Sequence, residues 1–277
     1  RKNGRFAGGW GKVEWRDAIL QGPHLHVSNP FYKWPNKTMR NNLDWSPVDL
    51  EVLEPGALPV TSYKPAGSRA EYDARYTHWG DNGEIPARDH YRVAWRRMAA
   101  NTGERTLIPA IIPPGAAHVD GIFSAGSPHV DPKSLVLIAG AVSSILHDFA
   151  VRSTPKGDIR APTFSRLPMV SVHHVLADAL ALRALLLNCL TDAYADLWTG
   201  CWTDGFAQDP PVLPRFAEGA IGPDWTGETP LRRAVDRRNA LVEIDALVAL
   251  MLGVDIDDLC TIYRTQFAVL HGYDQHD

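Results

Sequence analysis

A cluster of cations around a glycine offers the clearest chemistry in this sequence: Arg152, Lys156, Gly157, Arg160 and Arg166. Lysine and arginine bind phosphate oxygens, and backbone N–H groups at a glycine can approach an anion closely because no Cβ intervenes. The cluster therefore predicts an anion-binding loop. Spacing alone leaves one alternative open, which is an ordinary solvated connection between two helices.

A basic patch interleaved with aromatic rings lies nearer the N-terminus. Lys33, Asn36 and Lys37 surround Trp34, and Arg40 follows them. Cations that neutralise phosphates, next to rings that stack on bases, are typical of surfaces that contact a nucleic-acid backbone. The patch therefore predicts a second contact surface.

The motif Asn29-Pro30-Phe31-Tyr32 partly matches the Asp/Asn-Pro-Pro-Tyr/Phe motif of amino-methyltransferases. In that motif, polar acceptors hold an exocyclic amine and the aromatic ring stacks on a flipped base. Phe31 stands where the second proline belongs, and only 28 residues precede Asn29. A glycine-rich cofactor loop on a strand–helix unit needs more chain than that. We therefore expect no catalytic residue and no bound cofactor in this chain.

Metal-dependent chemistry has weaker support. Asp120 together with Asp131-Pro132-Lys133 imitates the acidic pattern of a Mg²⁺ nuclease, but the proline would interrupt the strand that presents the second acid. The pairs His24/His26 and His173/His174 have no third ligand paired with them in the sequence. We expect no metal site, and a divalent-metal nuclease is the weakest alternative.

Hydrophobic spacing predicts the elements that must hold these residues. Apolar residues recur at three- and four-residue steps over 135–149, which indicates a buried helix that ends before Pro155. Alternation over 91–98 indicates a strand, with an antiparallel partner over 106–112 and a third strand over 116–123. Further predicted elements are a strand over 58–63 and helices over 172–198, 231–252 and 256–270.

The order of an apolar helix, the stretch VRSTPKGDIRAPTFSRLPM and a Leu/Ala-rich helix resembles the C-terminal target-recognition region of adenine-specific DNA methyltransferases. Such regions occur in single-chain restriction–modification enzymes and related phage-defence systems. The resemblance implies double-stranded DNA as partner, a bacterial cytoplasm as location, and S-adenosylmethionine bound by a methyltransferase domain upstream in the same polypeptide. Further stretches that look like this family are AILQGPHLHVSNPFYKWPN, EYDARYTHW, YRVAWRRMAANTGERTLIPAIIPPG and LVEIDALVALMLGVDIDDLCTIYRTQF.

Together these observations predict an α+β fold, in which a small mixed β-sheet target-recognition domain precedes a mostly helical C-terminal part. We place the DNA target-recognition domain, with its loop-rich N-terminal segment, at residues 1–170 and the helical domain at 171–277. The expected function is sequence-specific DNA recognition, with this chain alone inactive as an enzyme. The expected DNA contacts are Arg152, Lys156, Gly157, Arg160, Arg166, Lys33, Asn36, Lys37 and Arg75.

Charge is distributed unevenly along the chain. The net charge is −4, yet residues 1–110 carry 16 Lys and Arg against 12 Asp and Glu, and the remainder is acidic. We therefore expect an anionic partner at the N-terminal half and at the loop over 152–166. A protein-interaction scaffold, whose helical half docks neighbouring subunits, is the alternative from another functional class.

Composition and cysteine content indicate the kind of cellular environment in which this protein folds. A hydrophobic fraction of 45% indicates a folded protein, and three scattered cysteines favour a reducing environment over a disulfide framework. The sequence contains no Cys-x-x-Cys pair, so it gives no indication of a structural zinc site. We expect neither a membrane span nor a signal peptide, because the apolar runs are short and the basic N-terminus has no apolar centre.

Overall fold

The structure is a computed structural model that describes residues 6–154, 157–209 and 221–275. It confirms the expected α+β class, with 40% helix, 17% strand, small separate sheets and a helical C-terminal part. The strands are β1 Phe6–Lys12, β2 Ile19–Leu20, β3 Lys33–Pro35, β4 Trp45–Pro47, β5 Val60–Pro65, β6 His78–Trp79, β7 Ile85–Pro86, β8 Arg92–Arg96, β9 Pro109–Ile112, β10 Ala117–His118 and β11 Ile122–Ala125. The helices are α1 Arg69–Arg75, α2 Pro132–Val142, α3 Ile145–Arg152, α4 Ala161–Phe164, α5 Ala177–Asn188, α6 Ala195–Cys201, α7 Asp204–Gln208, α8 Ala234–Leu252, α9 Ile256–Gln266 and α10 Ala268–Asp274.

The central sheet has three antiparallel strands in the order β11-β8-β9. Successive side chains of a strand point to opposite faces, so β8 sends Val93 and Trp95 into a large core and Ala94 into a smaller core behind the sheet. The strands predicted over 91–98 and 106–112 are confirmed, and they pair antiparallel as expected.

The third strand predicted, over 116–123, is wrong as a single element. Its first part is β10, which pairs in parallel with β2. A turn then follows, closed by the Ile122 N–H on the Val119 carbonyl at 3.0 Å, and β11 begins. The remaining N-terminal strands form two-stranded ladders, β1 with β5, β3 with β4 and β6 with β7. The β1–β5 ladder confirms the strand predicted over 58–63.

The helix predicted over 135–149 is two helices, α2 and α3, which meet at an angle of 63°. The Ser143 hydroxyl donates to the Ala139 carbonyl at 2.7 Å and shares a hydrogen bond with the Ser28 hydroxyl at 2.8 Å. Ser144 accepts from the His147 N–H as the N-cap of α3. Such local side-chain bonds compete with helical hydrogen bonding, so the two serines separate the helices.

No single helix of the described residues is long and apolar enough to cross a membrane. The bent pair α2 and α3 meets that test by length and composition only.

A buried ion cluster fixes α3 against the loop between β8 and β9. The Asp148 carboxylate, which has no exposed surface, accepts from Arg105 Nε at 2.8 Å and from the Thr106 N–H at 3.0 and 3.1 Å. Arg152 Nε donates to the same carboxylate at 3.2 Å, and Arg105 also donates to the Ser143 carbonyl at 2.5 Å. A buried carboxylate is stable only when it is paired and hydrogen-bonded in this way.

The large core continues across residue 170, where two parts of the chain were expected to divide. It includes Trp95 of β8, Leu180 of α5 and Ile244 of α8. The Asn188 side chain of α5 accepts from the Ile111 N–H of β9 at 2.9 Å. The two-domain division stays a prediction, but the described residues on its two sides share one core.

The helices predicted in the second half are present, with different boundaries. The helix over 172–198 is α5 and α6, interrupted after Asn188, and the helix over 256–270 is α9 and α10. The helix over 231–252 is α8, whose Ile244 and Val248 are fully buried. Residues 210–220 lie outside the described residues.

The inner face of α8 provides a stability test. Ile244→Ala is expected to lower the free energy of unfolding by about 2–5 kcal/mol, because it removes buried methyl groups and leaves a cavity. The matched control is Val242→Ala on the outer face of the same helix, where Val242 is 48% exposed; we expect a change of about 0.5 kcal/mol or less. Urea unfolding followed by circular dichroism measures both, and equal losses would contradict the assigned faces.

Buried titratable groups predict the response of stability to acid. Burial lowers the pKa of His24 from its ordinary value of 6.5 to about 4. Between these pH values the unfolded chain binds a proton that the folded chain does not, so acidification removes about 3 kcal/mol of stability. Burial also lowers the pKa of His26, to about 3. Asp245 opposes both histidines, because burial raises its pKa from 3.8 to about 6 and the folded chain then holds the extra proton.

We therefore expect a net loss of stability as pH falls from 6.5 to 4. Urea unfolding at pH 7 and pH 4.5 measures the difference for the unaltered chain and for His24→Gln. The variant should lose less, since glutamine keeps a donor and an acceptor but does not titrate. A difference that is the same in both proteins would show that His24 is not the source.

Candidate nucleic-acid interface

The described part of the loop after α3 is fixed to the end of the central strand. The Ile159 N–H donates to the Arg97 carbonyl at 2.7 Å, and the Ala99 N–H donates to the Gly157 carbonyl at 3.1 Å. The Trp95 indole N–H reaches the Ile159 carbonyl at 2.8 Å. Residues 157–159 therefore extend the edge of the sheet, and their backbone has a defined position.

Helix α4 holds the other end of this segment. The Phe164 ring stacks on the Trp95 ring with their centroids 3.9 Å apart and an interplanar angle of 6°. Arg160, at the N-cap of α4, has a side chain that is 66% exposed and lies 3.2 Å from the Asp158 carboxylate. Arg166, just beyond α4, is exposed and forms no ion pair with a described residue. We call residues 157–166 the basic segment; it presents two of the predicted DNA contacts on a fixed backbone.

The solvated alternative for this segment has support as well. Besides Arg160, the Asp158 carboxylate has Arg97 Nε at 3.6 Å, and Arg97 also donates to Asp120 at 2.5 Å. These acids compensate part of the local positive charge. An exposed pair such as Asp158–Arg160 contributes only about 0–1 kcal/mol, so Arg160 can exchange that carboxylate for another anion at little cost.

Arg152 was assigned wrongly as a DNA contact. Its side chain is only 8% exposed, and besides Asp148 its guanidinium donates to three backbone carbonyls. It also lies 4.3 Å from the Phe267 ring centroid. Its donors are thus used inside the protein, where they join α3 to the end of α9. The three accepting carbonyls are those of Gly103 at 2.9 Å, Glu104 at 3.0 Å and Gln266 at 2.7 Å.

The other predicted contacts have mixed placements. Lys156 lies outside the described residues. A Cβ added at Gly157 would meet no protein atom within 4 Å, so its backbone is open to a ligand. Lys37 is exposed, whereas Lys33 is half-buried with its Nζ 5.0 Å from the Tyr32 ring centroid.

Asn36 forms hydrogen bonds within its own hairpin, and its role as a DNA contact stays a prediction. Its Nδ2 donates to the Asp44 carboxylate and its Oδ1 accepts from the Ser46 hydroxyl, both at 2.8 Å. These bonds join β3 to the β4 side of its hairpin and use both ends of the amide. Part of the hydrogen-bonding capacity of the patch around residue 33 is therefore used inside the protein.

The motif at residues 29–32 forms a turn. Asn29 Oδ1 accepts from the Phe31 N–H at 2.8 Å. The Phe31 ring is 1% exposed and packs edge-on against Trp15 at a centroid distance of 5.6 Å. The stacking position of the motif is that of Tyr32, which is half-buried and whose ring centroid lies 4.5 Å from that of the His26 ring. Phe31 therefore packs in the core, and the Tyr32 ring is already in contact with a protein side chain.

The acidic nuclease-like pattern is used by a helix. The Asp131 carboxylate caps α2 by accepting from the Ser134 N–H at 2.9 Å, and Lys133 pairs with Asp178. Within the described ranges, no group of three or more His, Cys, Asp or Glu side chains is placed to hold a metal ion. Of the predicted histidine pairs, His24 is buried and binds the Val60 carbonyl at 2.9 Å through Nε2.

Sequence reasoning missed one candidate residue, Arg92. It lines a pocket together with Arg75, the exposed cation at the end of α1 that was predicted to contact DNA. Arg92 itself is 1% exposed. Alternation along β8 gave no signal, because an arginine between Tyr91 and Val93 is expected to face solvent.

The sequence matches no protein-family model and no curated protein. The case for a function therefore depends on the residues and geometry described above.

Substitution of Arg152 should lower the stability of the fold, because its hydrogen bonds are made inside the protein. Arg152→Ala removes the charge that pairs with buried Asp148 together with three hydrogen bonds to backbone carbonyls. We expect a loss of about 3 kcal/mol or more in unfolding free energy. Arg166→Ala, at an exposed site, should change it by about 0.5 kcal/mol or less. Chemical unfolding measures both. An unfolding free energy for Arg152→Ala equal to that of the unaltered chain would restore Arg152 as a candidate ligand contact.

Proposed function

We propose that this chain recognises double-stranded DNA, as the target-recognition part of an adenine-specific methyltransferase in a restriction–modification or phage-defence system. The observation that carries the proposal is the fixed backbone of the basic segment beneath exposed Arg160 and Arg166. The resemblance of the chain in sequence order to such target-recognition regions supports the same proposal.

A fixed backbone favours binding because few degrees of freedom remain to be lost. Ordering a mobile loop on binding costs free energy for every side chain and dihedral that is immobilised. Here the hydrogen bonds of Gly157 and Ile159 and the stacking of Phe164 have already ordered the segment. Arg160 and Arg166 need only their side-chain rotamers fixed when they meet a phosphate or a base edge.

Charge supports the same partner. The first 110 residues carry an excess of positive charge, and the basic segment is bonded to the strand that ends at Arg96. Lysine suits phosphate as a point charge, whereas the arginine fork also fits the paired acceptors of guanine. We assign Lys37 and Lys156 to phosphate contacts, and Arg160 to either phosphate or guanine.

The catalytic domain and its S-adenosylmethionine site belong, in this proposal, upstream in the same polypeptide. We also place the protein in the bacterial cytoplasm, which suits the three free cysteines, Cys189, Cys201 and Cys260. Titration of this chain with S-adenosylmethionine in a calorimeter should give no tight binding. A tight complex would place the cofactor site here and overturn this part of the proposal.

A fluorescence-anisotropy titration with duplex DNA at two salt concentrations tests the main proposal. Arg166→Ala should weaken binding to all duplexes alike and flatten the salt slope by about one unit, because it removes one phosphate contact. If Arg160 contacts phosphate, Arg160→Ala should also weaken binding to all duplexes and flatten the salt slope. If Arg160 contacts guanine, the variant should lose roughly 1–3 kcal/mol of discrimination between guanine and the other bases at one position of the DNA site. The matched control is Arg264→Ala, an exposed arginine on α9 that should leave binding unchanged.

Other results would overturn the proposal. Absence of duplex binding would favour a scaffold, and degradation of the probe on addition of Mg²⁺ would favour a nuclease. Unchanged affinity and unchanged salt slope in both arginine variants would mean that the basic segment is only a solvated connection.

The scaffold alternative is favoured by one observation on α8. Its outer face is largely apolar, with Val235, Val242 and Leu250 exposed by 52%, 48% and 64%. These positions recur at seven- and eight-residue steps, so they form one stripe along the helix. In a target-recognition region the same stripe is suited to dock the upstream methyltransferase domain, so the two functions share this surface.

A further inference from the structure

A pocket of about 390 Å³ lies between the end of α1 and β11, and its volume is typical of small-molecule sites. Neither the basic segment nor the outer stripe of α8 contributes to it. The side chains that matter most in its lining are Arg75, Tyr76, Trp79, Arg92, His118 and Ser124.

Arg92 is a buried cation without an anion. It is 1% exposed, and it forms no ion pair with a carboxylate of the described residues. Its Nη2 donates to the Ala116 carbonyl and its Nη1 donates to the Tyr76 hydroxyl at 3.2 Å. Its Nε, which is also buried, has no hydrogen-bond partner within the described chain. A guanidinium stays protonated at neutral pH, so this arrangement leaves an uncompensated charge and an unused donor inside the protein.

The neighbouring charged groups do not supply the missing anion. The Asp73 carboxylate forms an ion pair with Arg88, which is also buried, and not with Arg92. The acid among the described lining residues is Asp120, which is 86% exposed and is paired with Arg97. Burial lowers the pKa of Arg92 below its ordinary value, and the charge of Arg88 acts in the same direction. The environment is therefore unfavourable for Arg92 unless a negative group enters.

The rest of the lining adds donors and keeps the pocket positive. Arg75 is exposed at the end of α1, next to Tyr76. Burial, together with the charge of Arg92, lowers the pKa of His118 to about 4, so its ring is neutral at pH 7. His118 Nε2 lies 2.9 Å from the Ser124 hydroxyl. Two guanidiniums thus face the pocket from different elements, one buried and one exposed.

We propose that this pocket binds a phosphate group, held by the guanidiniums of Arg92 and Arg75 with the Tyr76 hydroxyl beside them. A tetrahedral phosphate offers oxygens in several directions, which suits single donors that arrive from a strand and from a helix end. A planar carboxylate is bound best by a whole arginine fork, and the fork of Arg92 is already used by Ala116 and Tyr76. The Trp79 ring in the lining leaves a surface for the group that carries the phosphate.

The phosphate can come from a free nucleotide or from the backbone of DNA, and the experiment separates the two sources. Isothermal titration calorimetry compares dAMP with deoxyadenosine, which lacks only the phosphate. We expect dAMP to bind at least tenfold more tightly, and Arg75→Ala and Tyr76→Phe to weaken its binding by roughly tenfold or more. Arg264→Ala is the matched control for an exposed arginine. Circular dichroism and thermal unfolding confirm that each variant is folded.

A second arm uses duplex DNA and follows anisotropy with the same variants. If dAMP does not bind but Tyr76→Phe and Arg75→Ala weaken duplex binding at least severalfold, the phosphate is one of the DNA backbone. If dAMP and deoxyadenosine behave alike and the pocket variants leave duplex affinity unchanged, the phosphate pocket is refuted. If dAMP does not bind and duplex binding depends on Arg160 and Arg166 but not on Tyr76, the pocket alone is refuted. Its failure is therefore distinguishable from that of DNA recognition.

Discussion

The buried Asp148 carboxylate is the constraint on which the rest of the structure depends. Its oxygens need partners because they have no contact with water, and Arg105, Thr106 and Arg152 supply them. These partners come from the loop between β8 and β9 and from α3 itself. Arg152 extends the cluster to the carbonyl of Gln266 at the end of α9. The sheet, the bent helix pair and the last helices therefore hold one another in place.

Hydrophobic spacing predicted the elements whose side chains face one core. β8 alternates, β9 lies in a continuous apolar run and α8 carries an apolar stripe, and all three lie close to their predicted positions. β1 escaped prediction because its FAGGWGK sequence has no alternation of apolar residues; pairing with β5 makes it a strand. The break at Ser143 also escaped prediction, because the apolar spacing continues across it. The break depends on the hydrogen bonds of Ser143 and Ser144, and one of these reaches distant Ser28.

The candidate site was predictable in part, for a related reason. The sequence shows where cations cluster, but it does not show whether backbone carbonyls inside the fold already accept their hydrogen bonds. For Arg152 they do. The reverse error concerns Arg92. Alternation implies that its face of β8 meets water, but a second layer that includes Leu20 and Ala116 covers that face. Only the tertiary arrangement of β2 and β10 behind the sheet reveals a buried arginine.

The bridge between Met98 and Asp158 makes the position of the backbone here independent of the side chains that it carries. The bonds that hold residues 157–159 to 97–99 are made by backbone atoms, so exchange of the Asp158 or Arg160 side chain leaves the position of the chain intact. Insertion of one residue beside Met98 would instead reverse which side chains face outward. The charge of this surface can therefore change by substitution, while changes in length are tolerated only in the turns farther from the bridge.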